Sequence, residues 1–290
     1  MKKRLLIVLA VLIALGVLVY ALRLPILLNL VGWQTDLRHP RAPNRPVPWQ
    51  QGPATASAPA AARPPNVIVI MIDDMGTNDV STYGGGMPAV PTPHIDQLAA
   101  EGVRFDRGYA ANGTCAPSRA ALMTGRYPTR FGFEFTPTPG NMAKVAPMLA
   151  APGRQHPVIV HKDRASDIAD FNDLGMPTSE ITIAELLKPA GYHSVHIGKW
   201  HLGGTPQYRP NNQGFDETLF MESGLHLPEN SAEVENSKQD FDPIDKFLWP
   251  NMRYAASYNG GDWFEPKGYL ADYYTDEAIK VIEANRNQPF

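Results

Sequence analysis

One short segment, Asn66 to Asp73, constrains the fold of this chain more than any other. It consists of Asn-Val-Ile-Val-Ile-Met-Ile-Asp, so an unbroken apolar run is bounded by polar residues. A run of this kind is typical of a strand buried on both faces, as in a parallel sheet that is covered by helices. We therefore predict a buried strand here and helices on both sides of its sheet.

The remaining patterns alternate between helix and strand. They predict helices over Pro93–Glu101, Ser118–Met123, Ile181–Lys188 and Thr275–Ala284, and strands over Val103–Phe105 and His193–Ile197. This alternation predicts an α/β fold with a mostly parallel (mixed) central sheet sandwiched by helices. Asp73-Asp74 and Lys199-Trp-His201 directly follow two of the predicted strands. Because ligands bind beyond the carboxyl ends of parallel strands, we predict that both groups share one rim of the sheet.

The N-terminus has the pattern of a membrane-directed segment. Lys2-Lys3-Arg4 precedes Leu5–Leu22, an uncharged run of 18 residues, and a helix there would be about 27 Å long, close to the hydrocarbon thickness of a bilayer. The basic flank should stay in the cytoplasm, so the rest of the chain is predicted to be exported to the periplasmic or extracellular face. An anchor that tethers the protein to the inner or plasma membrane and a cleaved signal both remain open.

A proline-rich segment separates this region from the folded part. His39 to Pro65 contains eight prolines and many alanines, which is typical of an extended, semi-rigid spacer. We therefore divide the chain into an anchor or signal (residues 1–31), a linker (32–65) and a folded domain (66–290). The formal net charge of −3 argues against nucleic acid as a partner.

Cys115 is the single cysteine of the chain and lies in Cys115-Ala-Pro-Ser-Arg119. An isolated cysteine is ordinarily a small buried apolar residue. Here it matches Cys-x-Pro-x-Arg, is followed by Ala-Ala-Leu-Met-Thr-Gly125-Arg126, and is accompanied by Gly198-Lys199-Trp-His201-Leu-Gly203. With these motifs the chain resembles the formylglycine-dependent (type I, arylsulfatase-like) sulfatases of the alkaline phosphatase superfamily.

The resemblance implies an alkaline-phosphatase-like fold and a sulfuric ester hydrolase. In that family a maturation enzyme oxidises the cysteine, here Cys115, to formylglycine, and one hydroxyl of the hydrated aldehyde attacks the sulfate ester. The second hydroxyl then releases sulfate by elimination. The resemblance also implies that Arg119 holds the diol, that Lys199 binds the sulfate and that His201 hydrogen-bonds the diol.

Asp73 and Asp74 are the candidate metal ligands. Two adjacent carboxylates at the end of a buried strand repel each other unless a cation neutralises them, and carboxylate oxygens suit Ca²⁺ or Mg²⁺. The resemblance implies that both residues, together with the formylglycine at position 115, contribute to a calcium (or magnesium) site. Ser223 to His226 is a weaker candidate for a substrate-facing loop.

Several elements of the family pattern have no match in the chain. After His201 we find neither a second histidine behind an apolar strand nor the remaining metal ligands. We therefore expect the N-terminal part of a sulfatase domain, incomplete at its C-terminus and inactive alone. The alternatives are a phosphonate or phosphodiester hydrolase of the same superfamily, or an inactive truncated fragment. The expected substrate is a small sulfate ester or a sulfated glycan.

Overall fold

The computed structural model describes residues 2–88, 90–138, 142–150, 153, 155–156, 159, 161–167, 169–222, 224–228, 231–233 and 243–290. The described α-helices are α1 (Lys2–Ala21), α2 (Arg23–Arg38), α3 (Pro93–Glu101), α4 (Cys115–Thr124), α5 (Met142–Leu149), α6 (Ile183–Leu187), α7 (Pro243–Leu248) and α8 (Leu270–Asn285). The described strands are β1 (Val195–Gly198), β2 (Glu217–Met221), β3 (Ala256–Tyr258) and β4 (Trp263–Phe264).

The four strands form one mixed sheet in the order β1-β2-β3-β4. β1 and β2 are parallel, with Val195 opposite Glu217. β3 is antiparallel to β2, with Leu219 opposite Tyr258, and β4 is antiparallel to β3. The predicted parallel pairing therefore holds for β1 and β2, and the rest of this sheet is antiparallel.

Successive side chains of β2 point to opposite faces of the sheet, as strand geometry requires. Phe220 packs on the cluster that contains Ala116 and Ala120 of α4. Leu219 lies in a second cluster with Val281 of α8 on the other face. The described helices thus cover both faces, which agrees with the predicted sandwich.

The segment predicted as the first buried strand differs from that prediction. Residues 66–72 form no strand and pair with none among the described residues, and their side chains are exposed; Ile70 is 76% exposed. One backbone bond, from Val67 N–H to the Phe290 carbonyl, ties the segment to the α8 end of the chain at 2.8 Å. An apolar run predicts burial, but burial needs neighbouring strands, and the described part of the chain supplies none here.

The other predicted elements are mostly found near their expected bounds. α3 matches its predicted range, α8 is longer than predicted, and α6 begins after Thr182, which forms a capping box with Glu185. The strand predicted over Val103–Phe105 is not formed. The helix that we predicted to begin at Ser118 begins at Cys115 instead, and Thr114 is its N-cap residue.

The proline-rich segment packs against the domain over part of its length. Trp49 is buried, and its Nε1 donates to Glu277 Oε2 of α8 at 2.7 Å. Gln50 N–H donates to Glu217 Oε1 at 3.0 Å, and Gly52 N–H donates to the Ala284 carbonyl at 3.1 Å. The segment predicted as a linker (32–65) therefore begins inside helix α2, which ends at Arg38, and is docked on the domain at these three residues.

Candidate functional site

The signature cysteine opens helix α4. Cys115 is its first residue, and Asn112 Oδ1 accepts hydrogen bonds from both N–H and Oγ1 of Thr114 at 2.9 Å, which fixes the turn before the helix. Pro117 lies in the first turn, where its missing N–H costs no helical hydrogen bond. Ala116 is fully buried under the Trp200 cluster. The helix therefore holds the Cys115 side chain at its positive N-terminal end.

Asp73 and Asp74 meet Cys115 across a long sequence separation. The Cys115 Sγ lies 3.9 Å from Asp74 Oδ1. The ligand atoms of Asp73, Asp74 and Cys115 all lie within 4.8 Å of one another. Asp74 has a left-handed backbone with φ of 56°, an unfavourable conformation for a residue with a Cβ. The chain thus turns sharply at the end of its apolar segment and presents both carboxylates to one point.

Two cations hold Asp73. Arg119 Nη2 donates to Asp73 Oδ1 at 2.8 Å, and Lys199 Nζ donates to Asp73 Oδ2 at 2.6 Å. Partial burial raises the pKa of Asp73, but the hydrogen bonds and charges of Lys199 and Arg119 outweigh it, so the pKa lies below 3.8. Asp73 is therefore ionised at neutral pH.

Arg119 also joins the two motifs. Its Nη1 donates to the Lys199 carbonyl at 2.8 Å while its Nη2 bonds Asp73. A planar guanidinium can make two such bonds in fixed directions, which a lysine ammonium cannot. One side chain therefore sets the separation between the Asp73 segment and the loop after β1.

The loop after β1 carries Lys199 and His201. Trp200 between them is buried and donates its Nε1–H to the Tyr208 carbonyl at 2.7 Å. Gly198 and His201 have φ of 101° and 64°, so the backbone turns here and does not continue the strand. Lys199 and His201 are nevertheless close enough that the Lys199 charge acts on the imidazole.

The imidazole of His201 is neutral at physiological pH. Burial, together with the charges of Lys199 and Arg119, lowers the pKa of His201 to about 4, and Asp73 offsets only part of this. Its Nδ1 is buried and accepts or donates no hydrogen bond among the described residues. A neutral imidazole can donate a hydrogen bond through one nitrogen and accept one through the other.

The donor set suits a hard divalent cation. Asp73 and Asp74 supply carboxylate oxygens, which are the preferred ligands of Ca²⁺ and Mg²⁺. The third donor, the Cys115 sulfur, is soft and suits such an ion poorly. An oxygen at that position, as formylglycine would provide, makes all three donors hard. The residues therefore fit the expected metal together with the expected modification.

His226 is the site residue that sequence reasoning left open. Partial burial lowers its pKa, and the charges of Asp73 and Lys199 also act on it, so it belongs to the same electrostatic environment. Leu225 is buried in a cluster with Met221, Tyr254 and Leu270, and this packing anchors the chain next to His226. Its signal in the sequence is weak, because a single histidine in an irregular loop has no fixed spacing to the other motifs. Ser223 lies outside the described residues.

Comparison with known proteins agrees with these observations. A family model described as Sulfatase matches residues 65–290. The chain is 40% identical over 243 residues to human N-acetylgalactosamine-6-sulfatase, covering 80% of this chain and 39% of that protein. It is 34% identical over 236 residues to the arylsulfatase of Hemicentrotus pulcherrimus, covering 78% of this chain and 35% of that protein.

Solved structures give the same result. The crystal structure of Ps i-CgsB matches with a TM-score of 0.55 and 30% identity, covering 78% of this chain and 43% of that one. The chain thus spans about two fifths of the length of the N-acetylgalactosamine-6-sulfatase that it matches.

Proposed function

The chain belongs to the sulfatase family, and on that premise we propose that it supplies the nucleophile, the sulfate-binding cations and part of the metal site of a sulfuric ester hydrolase. The observation that carries the proposal is the convergence of Asp73, Asp74 and Cys115 within 4.8 Å, with Arg119 and Lys199 bonded to Asp73. These residues come from three separate parts of the sequence: the two motifs supply Cys115, Arg119 and Lys199, and the end of the apolar segment supplies Asp73 and Asp74.

We propose that Cys115 is converted to formylglycine and that Asp73, Asp74 and position 115 hold Ca²⁺ or Mg²⁺. Formylglycine supplies, when hydrated, two hydroxyls on one carbon. An ion bound by these residues would supply Lewis-acid chemistry to a sulfate oxygen and to a hydroxyl at position 115. Everything else in the site is done by side chains of the chain itself.

Lys199 and Arg119 bring positive charge to the place where the sulfate must lie. Lys199 is a mobile point charge that can leave Asp73 for a sulfate oxygen, whereas Arg119 is fixed by its second bond to the Lys199 carbonyl. The N-terminus of α4 adds a partial positive charge on the same side. Together these groups stabilise an anionic substrate and the charge that develops on its oxygens.

His201 moves a proton near position 115. Because its pKa is about 4, the imidazole is neutral and can accept a proton from a hydroxyl at that position when the sulfate is released. Its unpartnered Nδ1 leaves one nitrogen available for this hydrogen bond. We also propose that His226, on which the charges of Asp73 and Lys199 act, contacts the substrate.

Sulfated glycans and small sulfate esters remain the two substrate classes. N-acetylgalactosamine-6-sulfatase, a relative named for a sulfated sugar, and the crystal structure of Ps i-CgsB in complex with k-i-k-neocarrahexaose support a glycan for this chain. We also propose that α1 places the domain on the outer side of a membrane. Lys3–Ala21 is long and apolar enough to cross a bilayer, a property that signal sequences share.

The first test is peptide mass spectrometry of Gly108–Arg119, the tryptic peptide that contains Cys115, after expression with a maturation enzyme. The expected result is an aldehyde in place of the thiol. In the complete protein, Cys115→Ala should reduce sulfate release by about 10⁴-fold or more, because a nucleophile is lost. An intact thiol in a competent host, or faster cleavage of an aryl phosphonate than of an aryl sulfate, would overturn the proposal.

A further inference from the structure

Helix α2 carries a row of exposed apolar side chains on one face. The α2 row consists of Ile26, Leu30, Trp33 and Leu37, whose spacing of four, three and four residues places them on the same side of a helix. All four are exposed, Trp33 at 58% and Leu37 at 84%. A contiguous exposed apolar surface of this kind marks an interaction site.

The folded domain contacts a different side of α2. A Cβ at Gly32 would lie 2.6 Å from the Pro250 carbonyl oxygen, so only glycine permits this close approach. Asp36 Oδ1 lies 3.0 Å from Arg253 Nε, and Arg253 also bonds Glu222. These contacts hold the helix against the domain, and the α2 row points away from it.

The position of α2 in the chain indicates what covers the row. α2 follows α1 after a single residue, Leu22, whose N–H still bonds the Leu18 carbonyl at 2.9 Å. The chain therefore passes from the candidate membrane span into α2 with no intervening loop. Pro25 has no N–H to continue the ladder, which permits a bend at this point. The α2 row thus begins where a bilayer spanned by α1 would end.

The composition of α2 also fits a lipid surface. Tryptophan is typical of the membrane–water interface, and helices that lie there combine an apolar face with basic residues. Arg23 and Arg38 flank the row at the two ends of the helix. Next to Arg38 lies a cleft lined by Arg38, His39, Arg41, Arg209 and Asp262. Arg41 is paired with Asp36 and Glu265, so Arg38 and Arg209, which outnumber Asp262, supply the positive charge that complements anionic headgroups.

We propose that α2 lies in the headgroup interface of the bilayer, with the α2 row inserted among the lipids and the domain held on its other side. The inference rests on the proposed membrane insertion of α1 and adds a second contact, which fixes the orientation of the domain above the membrane. The partner is a lipid surface that contains anionic lipid.

The test uses the full chain with Cys115→Ser, reconstituted in vesicles of phosphatidylcholine and phosphatidylglycerol. Single nitroxide labels are placed at Leu12→Cys in α1, Leu37→Cys in the α2 row and Leu186→Cys on an exposed face of the domain. Collision rates with oxygen, which concentrates in lipid, and with a water-soluble nickel chelate are then measured by electron paramagnetic resonance.

The expected result is that position 37 lies between positions 12 and 186: it is more accessible to oxygen and several-fold better protected from nickel than position 186, but less so than position 12. Nickel access at position 37 equal to that at position 186 would overturn the proposal while leaving α1 in the membrane.

Two further outcomes would assign the α2 row to a different contact. Protection from both reagents would assign it to a protein contact, and spin–spin broadening that disappears on dilution with unlabelled chain would assign it to a second copy. Nickel access at position 12 as well would overturn the membrane insertion of α1 itself. None of these readouts depends on sulfatase activity.

Discussion

The two halves of the candidate site are supported in opposite ways. The loop with Lys199 and His201 follows β1 and is fixed by packing, because Trp200 and Leu202 are buried in one cluster with α4. The segment that ends in Asp73 and Asp74 is exposed, and the Asp73 carboxylate is positioned by Arg119 and Lys199. We call the loop with Lys199 and His201 the packed half, because hydrophobic packing holds it, and the segment with Asp73 and Asp74 the charged half. Each half should respond to a different perturbation.

The largest effect should come from the packed half. Leu202 is fully buried, so Leu202→Ala should lower the free energy of unfolding by about 3 kcal/mol, since a cavity replaces lost apolar contacts. Ile70→Ala on the exposed segment should change it by less than about 0.5 kcal/mol. Urea unfolding of the 290-residue chain measures both. Equal losses would show that residues 66–72 are packed after all, and the contrast between the two halves would disappear.

A slightly smaller effect is expected at the residue that joins the halves. Arg119→Lys should reduce sulfate release by the complete protein about 100-fold, because a lysine cannot keep charged hydrogen bonds to Asp73 and to the Lys199 carbonyl at once. Arg126→Lys is the matched control, since Arg126 lies just after the same helix and pairs with Glu180. If both variants retain the same activity, Arg119 does not link the halves.

The packed half should also show a dependence on pH. His196 lies against Trp200 and Phe215, and burial is the main cause that lowers its pKa to about 4. In the unfolded chain the His196 imidazole takes up a proton with its ordinary pKa of 6.5. The free energy of unfolding is therefore highest above pH 6.5 and falls as the pH is lowered towards 4, because protonation favours the unfolded chain.

Between pH 6.5 and 4, the free energy of unfolding should fall by about 2 kcal/mol less in His196→Gln than in the native chain. The control is His94→Gln on the exposed surface of α3, which should fall as much as the native chain. Thermal or urea unfolding across this pH range provides the measurement. A His196→Gln profile as steep as that of the native chain would place the responsible group elsewhere, with His201 as the next candidate.

The smallest expected effect is on the charged half. Ca²⁺ should slow amide hydrogen exchange in residues 67–74 about 10-fold, because the ion binds the folded arrangement of Asp73 and Asp74 and opposes local opening. The amides of β1 should not respond. Asp74→Asn should abolish the effect, and slowed exchange in β1 as well would mean that the two halves are not mechanically separate.

The sequence predicts the elements whose signals are local. α3, α6, α8 and the strand that contains His196 are found because their periodicity and end residues lie within a few positions of each other. β3 and β4 were not predicted, since Ala256–Tyr258 and Trp263–Phe264 are too short to show alternation. The prediction that residues 67–72 are buried was wrong, because burial depends on neighbouring strands that the segment itself does not encode.

The same distinction applies to the site. Cys115, Arg119, Lys199 and His201 stand in motifs with fixed spacing, and the structure brings all four together with Asp73 and Asp74. The bond from Arg119 to the Lys199 carbonyl spans 80 residues, and no short pattern encodes it. His226 likewise depends on the packing of Leu225 rather than on a motif.

The docking of Trp49 onto α8 determines how far the domain can travel. A flexible tether of about 27 residues would let a domain sweep a radius of about 30 Å above its point of attachment. With Trp49 bonded to Glu277 and Gly52 to Ala284, the segment between α2 and the domain is shortened by its docking. Given the membrane insertion proposed for α1, this docking would keep the domain close to the bilayer, so that its ligands must diffuse to it.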